Sequence, residues 1–134
     1  CVLGYDDREP DSNELVKMEQ ELRDAMESGV FGMSSGLVYP PGCYAKTEEL
    51  ITLCKIVREY NGIYATHMRN EGNELEAALN ETINISKESG VKSQVSHIKT
   101  WGEKNWWKID KIERMLKGAR AHVIDTHIPH RQLI

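Results

Sequence analysis

Apolar residues along this chain follow two alternating rhythms, one helical and one extended. At helical spacing fall Leu15, Met18, Leu22, Ala25 and Met26, behind a capping Asp11 or Ser12 with acidic Glu14 in the first turn, and Gly29 stops the run. The same period returns over 47–60 (Leu50, Leu53, Cys54, Val57 and Tyr60, opened by Thr47 and closed by Asn61-Gly62), over 74–88 (Leu75, Ala78, Leu79, Thr82 and Ile83, closed by Gly90), and over about 106–117 (Ile109, Ile112, Met115 and Leu116). Between these lie short apolar or β-branched runs at 30–38, 63–67, 92–97 and about 121–126, each of which reads as a strand. Residues 1–11 read as a connector. The predicted order is α-β-α-β-α-β-α-β, with about 30 residues from one strand end to the next.

The stretch 62–99 decides how the strands pair. Some two dozen residues separate the runs that end at His67 and His97, far too many for a hairpin and enough for a covering helix. A parallel βαβ unit follows, with both histidines at the carboxyl ends of neighbouring strands, where α/β sheets keep their chemistry. A 30-residue period is that of the units of a (β/α)8 barrel, but four strands cannot close one. The fold class expected is therefore α/β, a partial TIM-type barrel of about four βα units with parallel strands. An open doubly wound sheet would want helices on both faces, and nothing in the pattern shows two classes of helix. An inward face shaped for a closed interior would leave an exposed apolar patch, so self-association or a longer parent chain is expected.

Composition narrows the partners. A formal net charge of -4 and a pI near 5.7, with no basic run carrying interleaved aromatics, argue against a nucleic-acid groove. No apolar run approaches the roughly 18 residues of a membrane span and no signal-peptide pattern is present, so the reading is cytoplasmic, with a small-molecule partner. The cysteines Cys1, Cys43 and Cys54 form no C-x-x-C pair. Phosphate-loop patterns are absent, so no nucleotide cofactor is expected. A start at Cys1 rather than methionine is expected of either a fragment or a processed chain.

His67 and His97, at one depth on adjacent strands, suit the imidazole pair of a Zn²⁺ site. Strand alternation places Arg69 beside His67 and Lys99 beside His97, so both cations are candidates for binding an anionic substrate. Tyr39 stands in the stiff loop Tyr39-Pro40-Pro41-Gly42-Cys43-Tyr44, as a packing ring or a substrate contact. His127 falls thirty residues after His97 and could complete a three-histidine site, but His122, His127 and His130 crowd an irregular terminus. No spacing supports Cys43 as a ligand, and Trp101, Trp106 and Trp107 read as packing residues.

Four blocks then carry a family resemblance: Gly36-Leu37-Val38-Tyr39-Pro40-Pro41-Gly42, Tyr64-Ala65-Thr66-His67-Met68-Arg69-Asn70-Glu71, Val95-Ser96-His97-Ile98-Lys99 and Asn105-Trp106. In this order and spacing the chain resembles the N-acyl-D-amino-acid deacylases (D-aminoacylases) of the amidohydrolase superfamily, from about residue 2 to 120. The resemblance implies a zinc hydrolase on a (β/α)8 barrel, this chain covering strands four to seven as a half-barrel fragment, 1–134 being one incomplete barrel domain. It implies that His67 and His97 are the metal ligands of the fifth and sixth strands, that Lys99 binds the substrate's α-carboxylate, and that Tyr39 borders the substrate pocket. It also implies a first-strand His-x-His pair, a cysteine ligand and a catalytic aspartate, none of which has a counterpart here. No catalytic acid or base is therefore expected within the chain, and it is expected to be inactive alone. Trp107 replaces the family's usual glycine, and the segment before Val123 is about three residues short. Two other readings stay open: a non-catalytic metal-binding or assembly module, and another amidohydrolase such as a dihydroorotase-like enzyme.

Overall fold

The computed structural model describes residues 2–120 and 123–125. Its first helix, α1 (Ser12–Glu27), starts on a reciprocal cap. The Asp11 carboxylate accepts from the backbone N–H of Asn13 and Glu14, and Glu14 reaches back to the N–H of Asp11, which satisfies donors that a helix start otherwise leaves open. β1 (Gly32–Gly36) follows, shorter than the expected 30–38, because its ladder to the next strand begins only at Gly32 and ends at Gly36. A loop with a short 3₁₀ turn (Gly42–Tyr44) leads to α2 (Thr47–Glu59). Thr47 does not cap this helix; it is the first helical residue, and its hydroxyl donates to Glu81 instead.

β2 (Ile63–His67) and α3 (Leu75–Ser89) match the expected ranges to within a residue, and α3 ends on Gly90 in the left-handed conformation (φ 73°) that favours glycine. β3 (Lys92–Val95) stops two residues before His97. A 3₁₀ segment, Glu103–Lys108, takes up what the sequence suggested was the start of the last helix, and α4 (Ile109–Ala119) begins after it. β4 (Val123–Asp125) falls within the expected 121–126, whose other residues lie outside the described ones. His122, His127 and His130 lie outside the described residues.

The four strands form one sheet in the order β1-β2-β3-β4, all parallel. Register pairs Met33 with Tyr64 and Ser35 with Thr66, then Tyr64 with Ser93 and Thr66 with Val95. Tyr64, Thr66, Ser93 and Val95 are buried on this side of the sheet, under the helices. One core cluster joins Met26 of α1 and Leu50, Cys54 and Val57 of α2 to Tyr64; a second joins Leu75 and Leu79 of α3 and Ile112 and Leu116 of α4 to Val95. Hydroxyls close the polar remainder, with Ser35 Oγ 2.6 Å from Tyr64 Oη and 2.9 Å from Thr66 Oγ1.

The alternate residues Ser34, Ile63, Ala65 and Gln94 face the opposite side, and the helices packed into the two cores leave it uncovered. Ser34 and Ile63 are exposed. Of the described side chains on this side Ser34, Ala65 and Gln94 are small or polar and Ile63 is apolar, where the sequence reading expected an exposed apolar patch. Among the described residues no helix is long and apolar enough to cross a membrane.

Candidate metal centre

His67 is the last residue of β2 and its side chain rises at the carboxyl end of the uncovered face. Register pairs Thr66 with Val95, so Ser96 rather than His97 is the next partner along β3, and Ser96 N–H donates to the Thr66 carbonyl at 2.9 Å. A continued strand would therefore turn His97 towards the helices. It does not continue: His97 adopts φ 41°, a left-handed conformation uncommon for a residue with a Cβ, and this bend brings its ring back to the mouth. The two imidazole centroids stand 4.5 Å apart with their planes at 85°.

Glu71 completes the group. It lies in the β2–α3 loop, only 9% exposed, with Oε2 3.4 Å from Nε2 of His67 and Oε1 3.2 Å from Nδ1 of His97. The loop is tied down on both sides. Asn70 Oδ1 accepts from the N–H groups of Gly72 (2.8 Å) and Glu74 (3.1 Å), the Trp101 N–H donates to the Glu71 carbonyl (2.8 Å), and the buried Lys108 Nζ donates to the carbonyls of Gly72 and Asn73. Asn105 Nδ2 in turn donates to the Trp101 carbonyl at 2.7 Å.

Lys99 Nζ contacts Glu71 Oε2 and lies 3.1 Å from His97 Nδ1. Nδ1 of His97 therefore faces the Lys99 ammonium on one side and the Glu71 carboxylate on the other. Glu71 Oε1 is buried without a hydrogen-bond partner, 3.2 Å from Nδ1 of His97. A cation between them would relieve this, and His67, Glu71 and His97 each present one ligand atom with all three within 4.8 Å of one another. Burial holds the His67 imidazole below its ordinary pKa; Glu71 opposes that shift, while the positive potentials of His97 and Lys99 add to it. A neutral imidazole is the form that ligates.

Tyr39 closes one side, its ring edge-on to His67 with centroids 5.5 Å apart, and is itself 62% exposed. The structure thus brings Tyr39, His67, His97 and Lys99 together around Glu71. It does not bring Arg69 there. β2 ends at His67, so strand alternation does not extend to Arg69, and its guanidinium is engaged by Glu81 and by the carbonyls of Cys43 and Ala45. Sequence reasoning did not single out Glu71; the signal was a carboxylate four residues after a strand-end histidine, which points to a site only once the turn is known to fold back. A cleft of about 460 Å³ opens elsewhere, between α1, α2 and the segment around Leu3, and takes in none of these residues.

In both sequence and fold the chain that carries this cluster is similar to amidohydrolases. More narrowly, the similarity is to the deacylases of N-acyl-D-amino acids. The chain is 39% identical over 131 residues to the D-aminoacylase of Alcaligenes xylosoxydans xylosoxydans, a match that takes in 90% of this chain and 27% of that enzyme. Among solved structures, N-acyl-D-glutamate deacylase from Bordetella bronchiseptica, complexed with zinc and a phosphonate mimic of the tetrahedral intermediate, superposes with a TM-score of 0.86 at 31% identity over 92% of this chain and 27% of its own. A D-aminoacylase structure described for its binuclear metal centre gives 0.84 at 36% identity over 88% of this chain and 25% of its own. No family model matches the chain. The chain spans about a quarter of the length of the relatives it matches, and these agree with the resemblance carried by the Ala-Thr-His-Met-Arg and Ser-His-Ile-Lys blocks.

Proposed function

We propose that the chain is part of a zinc-dependent enzyme that hydrolyses the amide bond of N-acyl-D-amino acids, its four strands being consecutive strands of a (β/α)8 barrel. The observation that carries this is the convergence of His67, His97 and Glu71, with a buried unpartnered oxygen among them, at the carboxyl edge of a parallel sheet. The bare face of the sheet supports the barrel, since it is the side that would turn inward.

His67 and His97 would hold the ion, with Glu71 as a third donor or as the counter-charge of the pair. When bound, zinc supplies Lewis acidity, polarising an amide carbonyl and lowering the pKa of a water towards about 7. The chain's own residues supply orientation. Lys99, fixed by Glu71 and His97, presents a point charge that would take the substrate's α-carboxylate and turn the scissile carbon towards the ligands. Tyr39 limits the pocket on the His67 side. The proton-transferring aspartate belongs outside these residues on this reading, so the chain alone is expected to be inactive.

Zinc content after equilibration and desalting tests the reading. The wild-type chain should retain zinc and the variant His67→Ala/His97→Ala should not; equal zinc in both ends the ligand assignment. Hydrolysis of N-acetyl-D-methionine by this chain alone would show the site to be more complete than proposed.

A further inference from the structure

Arg69 stands two residues beyond His67, yet its guanidinium serves another task. Nε donates to Glu81 Oε2 and Nη2 to Glu81 Oε1, each at 3.0 Å, while Nη1 donates to the Cys43 carbonyl at 2.7 Å and Nη2 to the Ala45 carbonyl at 2.8 Å. Four of its five N–H donors are thereby used. Glu81, on α3, is held in turn by the Thr47 hydroxyl at the start of α2 (2.9 Å). The two carbonyls belong to the loop between β1 and α2, the loop that carries Tyr39. Within it the Cys43 N–H donates to the Tyr39 carbonyl at 2.9 Å, so what fixes Cys43 also fixes Tyr39.

We propose that Arg69 is a positioning residue that fastens the 39–45 loop to the end of β2 and so keeps the Tyr39 ring against His67. Its meaning for catalysis rests on the proposed function; the mechanical role does not. A planar fork can satisfy a carboxylate along one edge and two carbonyls along the others, which a lysine ammonium cannot do. Exposed loops otherwise open locally at small cost. Tyr39, 62% exposed, has its ring against His67 and owes its place to the loop's backbone.

The test compares wild type with Arg69→Gln, Arg69→Lys and Tyr39→Leu, reading the His67 ring-proton shifts by NMR and the rate of Cys43 alkylation in the folded protein. Tyr39→Leu removes the ring-current shift and sets the value for a lost contact. Arg69→Gln should move the His67 signals to that value and speed Cys43 alkylation about tenfold, with Arg69→Lys between it and wild type. A His67 shift left at its wild-type value in Arg69→Gln overturns the proposal. Should Arg69→Gln unfold, Glu81→Gln is read instead: a reduced Tyr39-dependent shift with faster alkylation supports the clamp, and no change in either overturns it. Zinc retention is measured alongside. Loss of zinc from the wild type would sink the hydrolase reading while leaving the loop measurement intact.

Discussion

His97 meets His67 only because its own backbone bends into the left-handed region, which sets the two rings edge-to-face at 4.5 Å. Neither the strand register nor the alternation of side chains would have brought them together, since β3 ends at Val95. A non-glycine residue in that conformation costs about 1–3 kcal/mol, a strain that clusters at functional sites.

The first prediction concerns the ligands one at a time. His67→Ala and His97→Ala should each weaken zinc binding by at least about 100-fold, the upper end of what losing even an outer partner of a ligand costs. Isothermal titration with zinc, on variants whose circular dichroism matches wild type, checks this. An unchanged affinity for either variant would remove that residue from the site.

Glu71 is testable without a change of shape. Glu71→Gln keeps the volume and hydrogen-bonding reach but removes the charge that neutralises Lys99 and faces both imidazoles. Zinc affinity should fall about 10- to 100-fold. If Glu71 only packed the loop, the isostere would bind zinc as well as wild type does.

The pH dependence of the zinc-free protein has a defined sign. The folded pKa of His67 lies below the unfolded value of 6.5, chiefly because burial disfavours the imidazolium, so between those values the unfolded chain binds a proton that the folded chain refuses. The stability from this group is complete above pH 6.5 and is lost as pH falls through the lowered folded value. An NMR titration of the His67 ring should show a midpoint below 6.5, and denaturant midpoints should drop over the same window relative to His67→Gln. A midpoint above 6.5 would mean that Glu71 outweighs burial.

Gly42 sets how closely the Tyr39 loop lies on the sheet. A Cβ at this position would sit 2.5 Å from the Gly36 carbonyl oxygen, backbone that cannot swing aside. Gly42→Ala should therefore cost about 1–3 kcal/mol, the usual range for forcing an extra carbon into packed structure. It should also raise Cys43 reactivity as the loop lifts. Cys54 provides an internal reference, since it is fully buried and burial pushes its thiol up to about 12, so it should stay unmodified at pH 8 in both proteins. Equal melting temperatures for Gly42→Ala and wild type would rule out the close approach.

The element types and their order were legible in the sequence because the helices carry long apolar periods with clear stops, as at Asn61-Gly62 and Gly90. Strand lengths were less so. β1 and β3 came out shorter than their apolar runs, because length is set by which neighbour offers a ladder and not by side-chain type. His67 and His97 stood out in the sequence as histidines at two strand ends, but the expected equal depth did not hold, since the register sets Ser96 opposite His67, and the bend that brings the rings together leaves no mark in composition. Arg69 illustrates the reverse error. Alternation was extended past the end of a strand, and the true partner, Glu81, lies twelve residues on, at a distance in sequence that only the packing of α3 against the loop explains.

The side of the sheet left free of helices bears on how tightly a cation could be held. Ser34 and Ala65 offer little bulk on that side, so the two imidazoles, half-buried at His67 and exposed at His97, stand nearer to solvent than the buried Glu71, and charges near solvent attract a cation less strongly. A dissociation constant measured on these 134 residues is therefore a ceiling. Any surface that dries that side should deepen the well without touching a single ligand.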